Sequence, residues 1–272
     1  LWRSREKGLD RLVEYSRRDA QLTLEILLTK RLLDRYAALA QASGTSLQDL
    51  IEGGQSIMVD NLLLRELRRY ERVMPCKPDA EETARRKQLR DKEGLKGGYV
   101  LEPKAGLQEN VLIMDYKSLY PTIMIANNIC FSTLVKDKFV PREKYKGIVP
   151  RILEDLLEKR LLLKERAKGA KEEEFRILDM TQWAVKILLN SFYGYFGYSR
   201  SRMYELTVAN AVTRTGRENI SKTKEIIEKE IARAALKDGK AYLGDEIKTS
   251  PTGSTMVSLE VVERIAAAAS AE

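Results

Sequence analysis

The chain has 272 residues, 43% of them hydrophobic, with 48 Lys and Arg against 40 Asp and Glu, a formal charge of +8 and a pI near 9.3. That is apolar content enough for one large core or two ordinary ones, and a basic excess that suits a polyanionic partner. Histidine is absent and the only cysteines, Cys76 and Cys130, are far apart, so Ser–His and Cys–His nucleophiles, His-based zinc sites and a histidine base are excluded, leaving carboxylates, Lys, Arg, Tyr or oxygen-held metal for any catalysis.

No signal peptide precedes Leu1-Trp2-Arg3-Ser4-Arg5, and the chain opens without Met inside a helical-looking region, as expected of a fragment or a trimmed chain. No apolar run approaches the roughly 20 residues of a membrane span, so a cytoplasmic location is expected. From Gly8 to Leu39, apolar residues at helical spacing (Leu9, Leu12, Val13, then Leu22, Leu24, Ile26, Leu27, Leu28) predict two helices or one long one. Within it Tyr15 and Asp19 fall at i and i+4, on one helical face. Helical patterning continues from Ser43 to Met74, with turns at Ser43-Gly44-Thr45 and Gly53-Gly54 and a basic face at Arg65, Arg68, Arg69 and Arg72. Pro75-Cys76-Lys77-Pro78 and a polar run without apolar periodicity, Asp79 to Lys92, read as a linker over 76–93. Beyond it, Lys96-Gly97-Gly98 offers a cation beside a backbone that a ligand can approach closely.

Val111 to Ile125 reads as strand, turn and helix, with Asp115 at the end of an apolar, β-branched run and Ser118-Leu119-Tyr120-Pro121 leading into the helix. An acid at the end of a core strand is costly unless it holds a cation or a donor. An amphipathic helix from Val149 to Lys168 carries Arg160, Lys164 and Lys168 at i, i+4 and i+8. A second helix, from about Glu172 to Leu189, returns after Gly169, with Lys186 and Asn190 one turn apart. The pair predicts an antiparallel hairpin with cations on both arms, suited to a triphosphate. Then follows Lys186-Ile-Leu-Leu-Asn190-Ser191-Phe-Tyr193-Gly194-Tyr195-Phe196-Gly197-Tyr198, aromatics interleaved with glycine as stacking on a base pair requires.

Two of these phrases carry a resemblance. Asp115-Tyr-Lys-Ser118-Leu119-Tyr120-Pro121-Thr122-Ile123 resembles motif A of family B DNA polymerases, D-x-x-S-L-Y-P-S-I, above all in their archaeal branch, with Thr122 in place of the last Ser; Lys186 to Gly194 matches motif B, K-x-x-x-N-S-x-Y-G. The resemblance implies that Asp115 and the Tyr116 carbonyl bind Mg²⁺, that Ser118 and Leu119 meet the incoming triphosphate through their amides, and that Tyr120 lies under the sugar and excludes a 2′-hydroxyl. It further implies that Arg160, Lys164, Lys186 and Asn190 hold the nucleotide, with Lys186 also aiding pyrophosphate departure. Lys96, Gly97, Gly98, Tyr193 and Gly194 would contact DNA, although Leu95 stands where the family's Tyr-x-Gly-Gly element has its Tyr. Tyr15 and Asp19 resemble the third motif of the family's 3′→5′ exonuclease; without the other two, proofreading by this chain alone is not expected. Thr213-Arg-Thr-Gly216-Arg217 is similar to the palm segment behind the catalytic strand.

The resemblance breaks at motif C, Tyr-Gly-Asp-Thr-Asp-Ser, whose second Asp is a metal ligand. Here Tyr242-Leu-Gly244-Asp245-Glu246-Ile247 aligns Asp245 with the first Asp and puts Ile247 in the place of the second; the tail then reads as a flexible loop, Thr249 to Thr255, and an Ala-rich helix. The expected fold is α+β: a palm with an antiparallel sheet, a two-helix fingers insertion and the helical remnant of an RNase H-like exonuclease domain. The expected divisions are 1–75 exonuclease end and connection, 76–93 linker, 94–148 first palm part, 149–190 fingers, 191–245 second palm part and 246–272 divergent tail. The expected function is template-directed deoxynucleotidyl transfer, with Mg²⁺, dNTP and primer–template DNA, completed by a second polypeptide carrying motif C and the thumb. The alternatives are an incomplete fragment and an inactive, DNA-binding scaffold subunit.

Overall fold

The computed structural model describes residues 9–94, 97–100, 105–107, 112–113, 115–238, 248–249 and 255–256. Lys96, Asp245 and Ile247, and the Ala-rich segment after Met256, lie outside the described residues. The chain divides into two compact units, Leu1–Met74 with Asp155–Ser191 and Pro75–Glu154 with Phe192–Glu272.

The first unit is helical. α1 (Leu9–Thr29) and α2 (Leu32–Ser43) are separate, broken where Arg31 takes a left-handed conformation at φ 49°, ψ 47°. α2 stops at Gly44, φ 64°, whose N–H returns to the Ala40 carbonyl, the glycine end that a helix favours. α3 (Leu47–Arg69) starts on Ser46, whose Oγ accepts from the Asp49 amide and donates to the Asp49 carboxylate. Gly54, φ 64°, kinks α3 without ending it, so the expected second turn is a bend within a helix. Every third or fourth residue of α3 then enters the core: Met58, Val59, Leu62, Leu63 and Leu67 are buried. The same unit holds most of α6 (Ile148–Ala167) and α7 (Glu172–Phe196), whose Leu178, Ala184, Val185, Leu188 and Leu189 are buried. Arg35 of α2 lies over the Trp183 ring of α7, 5.2 Å from its centroid. α1, by contrast, buries nothing.

In the second unit the stretch read as a linker carries a helix, α4 (Ala80–Glu93). Apolar periodicity is missing because α4 is held by its ends and its charges. Asp79 caps the Glu82 amide at 2.8 Å, and Glu82 takes Arg85 and Arg86 at i+3 and i+4. Arg86 also donates to the carbonyls of Ser199 and Ser201 and lies over Tyr204, whose hydroxyl returns to the Arg86 carbonyl. α5 (Leu119–Ala126) packs on α8 (Leu206–Asp238), around buried Ile123, Met124, Val208, Ala209 and Val212. Phe192 and Phe196, at the end of α7, are fully buried in this unit. β2 (Leu134–Val135) and β3 (Lys138–Phe139) form an antiparallel hairpin. Its turn residues Lys136 and Asp137 both have positive φ, the twist a two-residue hairpin demands.

The sheet before Asp115 is mixed, where a purely antiparallel one was expected. β1 (Leu112–Ile113) pairs in parallel with β5 (Thr255–Met256), which pairs antiparallel with β4 (Lys248–Thr249). The segment read as a loop from Thr249 to Thr255 therefore has paired ends, Thr249 opposite Thr255; β-branched residues suit that place. No described helix is long and apolar enough to cross a membrane.

Candidate functional site

Asp115 stands two residues after the end of β1 and is exposed. Its neighbour Tyr116 turns away from it: the phenol hydrogen-bonds the Thr223 hydroxyl and lies 3.4 Å from the Asn219 carbonyl, both on α8. The backbone then bends through Ser118 in the left-handed region, φ 54°, ψ 47°, and α5 begins without a side-chain cap. A non-glycine residue held there is uncommon, and the bend leaves the opening amides of α5 without the Ser118 side chain as acceptor. Amides of this kind are the usual donors to an anion. Pro121 falls in the first turn of α5, where its missing N–H removes no intrahelical bond.

Tyr120 is the meeting point. Its ring lies 4.6 Å from that of Tyr193 at an interplanar angle of 51°. α8 passes the ring edge at Gly216, where a Cβ would stand 3.5 Å from Tyr120 Cε1. A Cβ on Gly98 would stand 3.2 Å from the Tyr120 hydroxyl. Arg217, next to Gly216, donates to the Gly97 carbonyl at 2.8 Å. Residues from four separated phrases thus gather in one cluster. Burial pushes the Tyr193 phenol above its ordinary pKa, the Tyr120 phenol adds to the rise, and Arg217 opposes it. Gly194 is exposed and a Cβ there would meet nothing within 4 Å among the described residues, so a flat partner can approach the backbone.

The predicted cationic residues stand on the α6–α7 hairpin of the first unit. Lys164, Lys186 and Asn190 are exposed. Arg160 is not, at 8% exposure, with Nε donating to Gln182 Oε1 at 3.3 Å. Burial pushes its guanidinium pKa down. The expected uniform stripe is therefore corrected: Lys168 lies past the end of α6 and pairs with Glu165 at 2.7 Å, while Arg160 turns inward. Tyr15 and Asp19 share α1 and both are exposed. Among the described residues no group of three or more His, Cys, Asp or Glu side chains is placed to hold a metal ion.

Gly216, Arg217 and Thr223 join the cluster without having been expected to. The one local signal for the first two is a glycine inside a long helical pattern, which can mark a close approach. Nothing local marks Thr223.

Residues 45–262 match the family model described as DNA polymerase family B. The chain is 39% identical over 241 residues to the DNA polymerase of Thermococcus gorgonarius, covering 84% of this chain and 30% of that one. It is 31% identical to the DNA polymerase delta catalytic subunit of Caenorhabditis elegans, over 96% of this chain and 25% of that one. Among solved structures, the family B DNA polymerase from Pyrobaculum calidifontis superposes with a TM-score of 0.62 at 29% identity, over 88% of this chain and 31% of the other. The chain therefore spans less than a third of the length of these relatives. With four-fifths of its length inside the family model and its two long motifs within the matched stretch, the chain belongs to DNA polymerase family B.

Proposed function

We propose that the chain contributes the nucleotide-binding half of a template-directed DNA polymerase, transferring a deoxynucleotidyl group to a primer 3′-hydroxyl. The observation that carries the reading is the packing of motif A Tyr120 on motif B Tyr193, backed by Gly98 and Gly216. A ring fixed in this way is a steric wall, and a wall under a sugar separates a 2′-hydrogen from a 2′-hydroxyl. The uncapped amides at Ser118 and Leu119 are assigned to the triphosphate, with Arg160, Lys164, Lys186 and Asn190. Gly97, Gly98, Tyr193 and Gly194, with Lys96, are assigned to DNA. In this reading residues 94–148 and 191–245 are palm, 149–190 fingers, and 1–75 the end of an exonuclease domain whose Tyr15 and Asp19 do not proofread unaided.

Exposed Asp115 and the Tyr116 carbonyl are hard oxygen donors of the kind Mg²⁺ takes. They do not make a two-ion site, which needs facing carboxylates for cations about 3.5–4 Å apart. Ile247 stands where the family's second ligand stands, and we assign that ligand to a second polypeptide.

Primer extension with Mg²⁺ and dNTPs tests this, using the chain alone and the chain with a fragment carrying Tyr-Gly-Asp-Thr-Asp and a thumb. Extension is expected only in the mixture, and Asp115→Ala abolishes it. Binding of primer–template without extension in the mixture would replace the reading by that of an inactive scaffold subunit.

A further inference from the structure

Gly98 has no conformational reason to be glycine: its φ lies outside the left-handed region, and it is exposed. Among the described residues, the space its side chain would occupy holds one neighbour within 4 Å, the Tyr120 hydroxyl, at 3.2 Å. That is closer than a Cβ ordinarily lies to any atom. The Tyr120 ring has few ways to retreat, since Tyr193 lies against it at 4.6 Å and α8 passes its edge at Gly216. The strand of backbone carrying Gly98 is itself held, because Arg217 donates to the Gly97 carbonyl at 2.8 Å.

We infer that Gly98 is a specificity-determining residue, setting how far the tip of Tyr120 stands out and so how strictly the site rejects a ribonucleotide. The inference rests on the proposed role of Tyr120 as the wall under the sugar. A methyl group at position 98 displaces the phenol from the Gly98 backbone, and in the proposed role of Tyr120 that displacement is toward the sugar. The pocket narrows on the side of the 2′-position. The effect depends on one atom, the Tyr120 oxygen, and a double-mutant cycle isolates it.

The test is equilibrium binding of dATP and ATP, with Mg²⁺ and a primer–template presenting T, to the 272-residue chain. Wild type binds dATP more tightly, and Tyr120→Ala brings the ATP-to-dATP ratio of dissociation constants close to one. Gly98→Ala raises the wild-type ratio by about tenfold, the scale of one methylene in a closed pocket. In a Tyr120→Phe background, which keeps the ring and removes the crowded oxygen, Gly98→Ala leaves the ratio unchanged. A ratio that Gly98→Ala leaves alone or lowers, or a rise that survives in the Phe background, overturns the inference while leaving the Tyr120 wall standing. Loss of discrimination in none of the variants, or binding of neither nucleotide, overturns the wall and the inference together. Thermal unfolding by circular dichroism accompanies each variant; the exposure of Gly98 predicts an unchanged midpoint, and a collapse of the fold in Gly98→Ala overturns the inference too.

Discussion

Tyr120 and Tyr193 on one hand and Lys186 and Asn190 on the other are all motif residues, yet the two pairs are held in opposite ways. Tyr120 and Tyr193 touch each other, and the backbones of Gly98 and Gly216 wall them in. Lys186 and Asn190 stand out from α7 into solvent. In the proposed roles, the difference matches what each would do. A wall discriminates by not moving, so its position is set by packing before any ligand arrives. A phosphate clamp works by gaining partners, so its cations stay hydrated until the anion replaces water.

The contrast breaks most visibly at Phe192, fully buried beside Tyr193. Phe192→Ala is expected to cost about 3–5 kcal/mol of stability, read by urea unfolding, whereas Lys186→Ala changes stability by less than about 0.5 kcal/mol. Lys186→Ala acts on the ligand instead, weakening dNTP binding by about tenfold, the worth of one charge-assisted contact. A large loss of stability at Lys186 would show the hairpin cations to be structural after all.

Arg160 sharpens the comparison, since the family resemblance gives it to the clamp and its burial gives it to the interior. Its side chain has the Gln182 amide oxygen as partner and no carboxylate among the described residues. Arg160→Met is expected to leave unfolding stability unchanged or raise it by about 1 kcal/mol, as replacement of a buried charge by an apolar chain does, while nucleotide affinity falls. Stability falling by several kcal/mol would place Arg160 with the packed residues.

The packed cluster also has a pH signature. The Tyr193 pKa is raised on folding, so the stability tied to its protonated form is complete below the ordinary tyrosine value and is lost as pH rises through the folded one. Tyr193→Phe should flatten the alkaline fall of stability above about pH 10. An unaltered slope would place that fall elsewhere. The smallest effect is on α4, where Arg85 and Arg86 hold the Glu82 carboxyl down at about 2. A lowered carboxylate stabilises above its unfolded pKa and stops doing so as pH falls toward the folded one. Helix content should therefore fray between about pH 4.5 and 2, and Glu82→Gln should remove that acid step in circular dichroism. Arg85 is exposed and Glu82 only half-buried, so added salt should shrink the effect.

Much of this was legible in the residues alone. Motif A and motif B are long, ordered phrases, and they carry Asp115, Tyr120, Lys186, Asn190 and Tyr193 with their family. Helices α6 and α7 follow from apolar spacing, because a helix with one buried face must repeat every three or four residues. α4 escaped for the complementary reason: it buries little, and its support comes from a cap and from charges one turn apart, which leave no apolar period.

By itself, then, the sequence determined the family, most of the long helices and the motif phrases from which the proposed site residues are drawn, since these depend on residue type and local spacing. Only the tertiary structure decided which of those side chains face one another. It set Gly98 under the Tyr120 hydroxyl, Arg217 on the Gly97 carbonyl and Arg86 on the carbonyls of Ser199 and Ser201. It turned Arg160 inward from a row that spacing drew as one stripe. Such contacts join residues more than a hundred positions apart in the cases of Arg217 with Gly97 and Arg86 with Ser201. Local periodicity carries no information on that scale, because a helix repeat orients a side chain relative to its own axis and leaves the partner across the axis to packing.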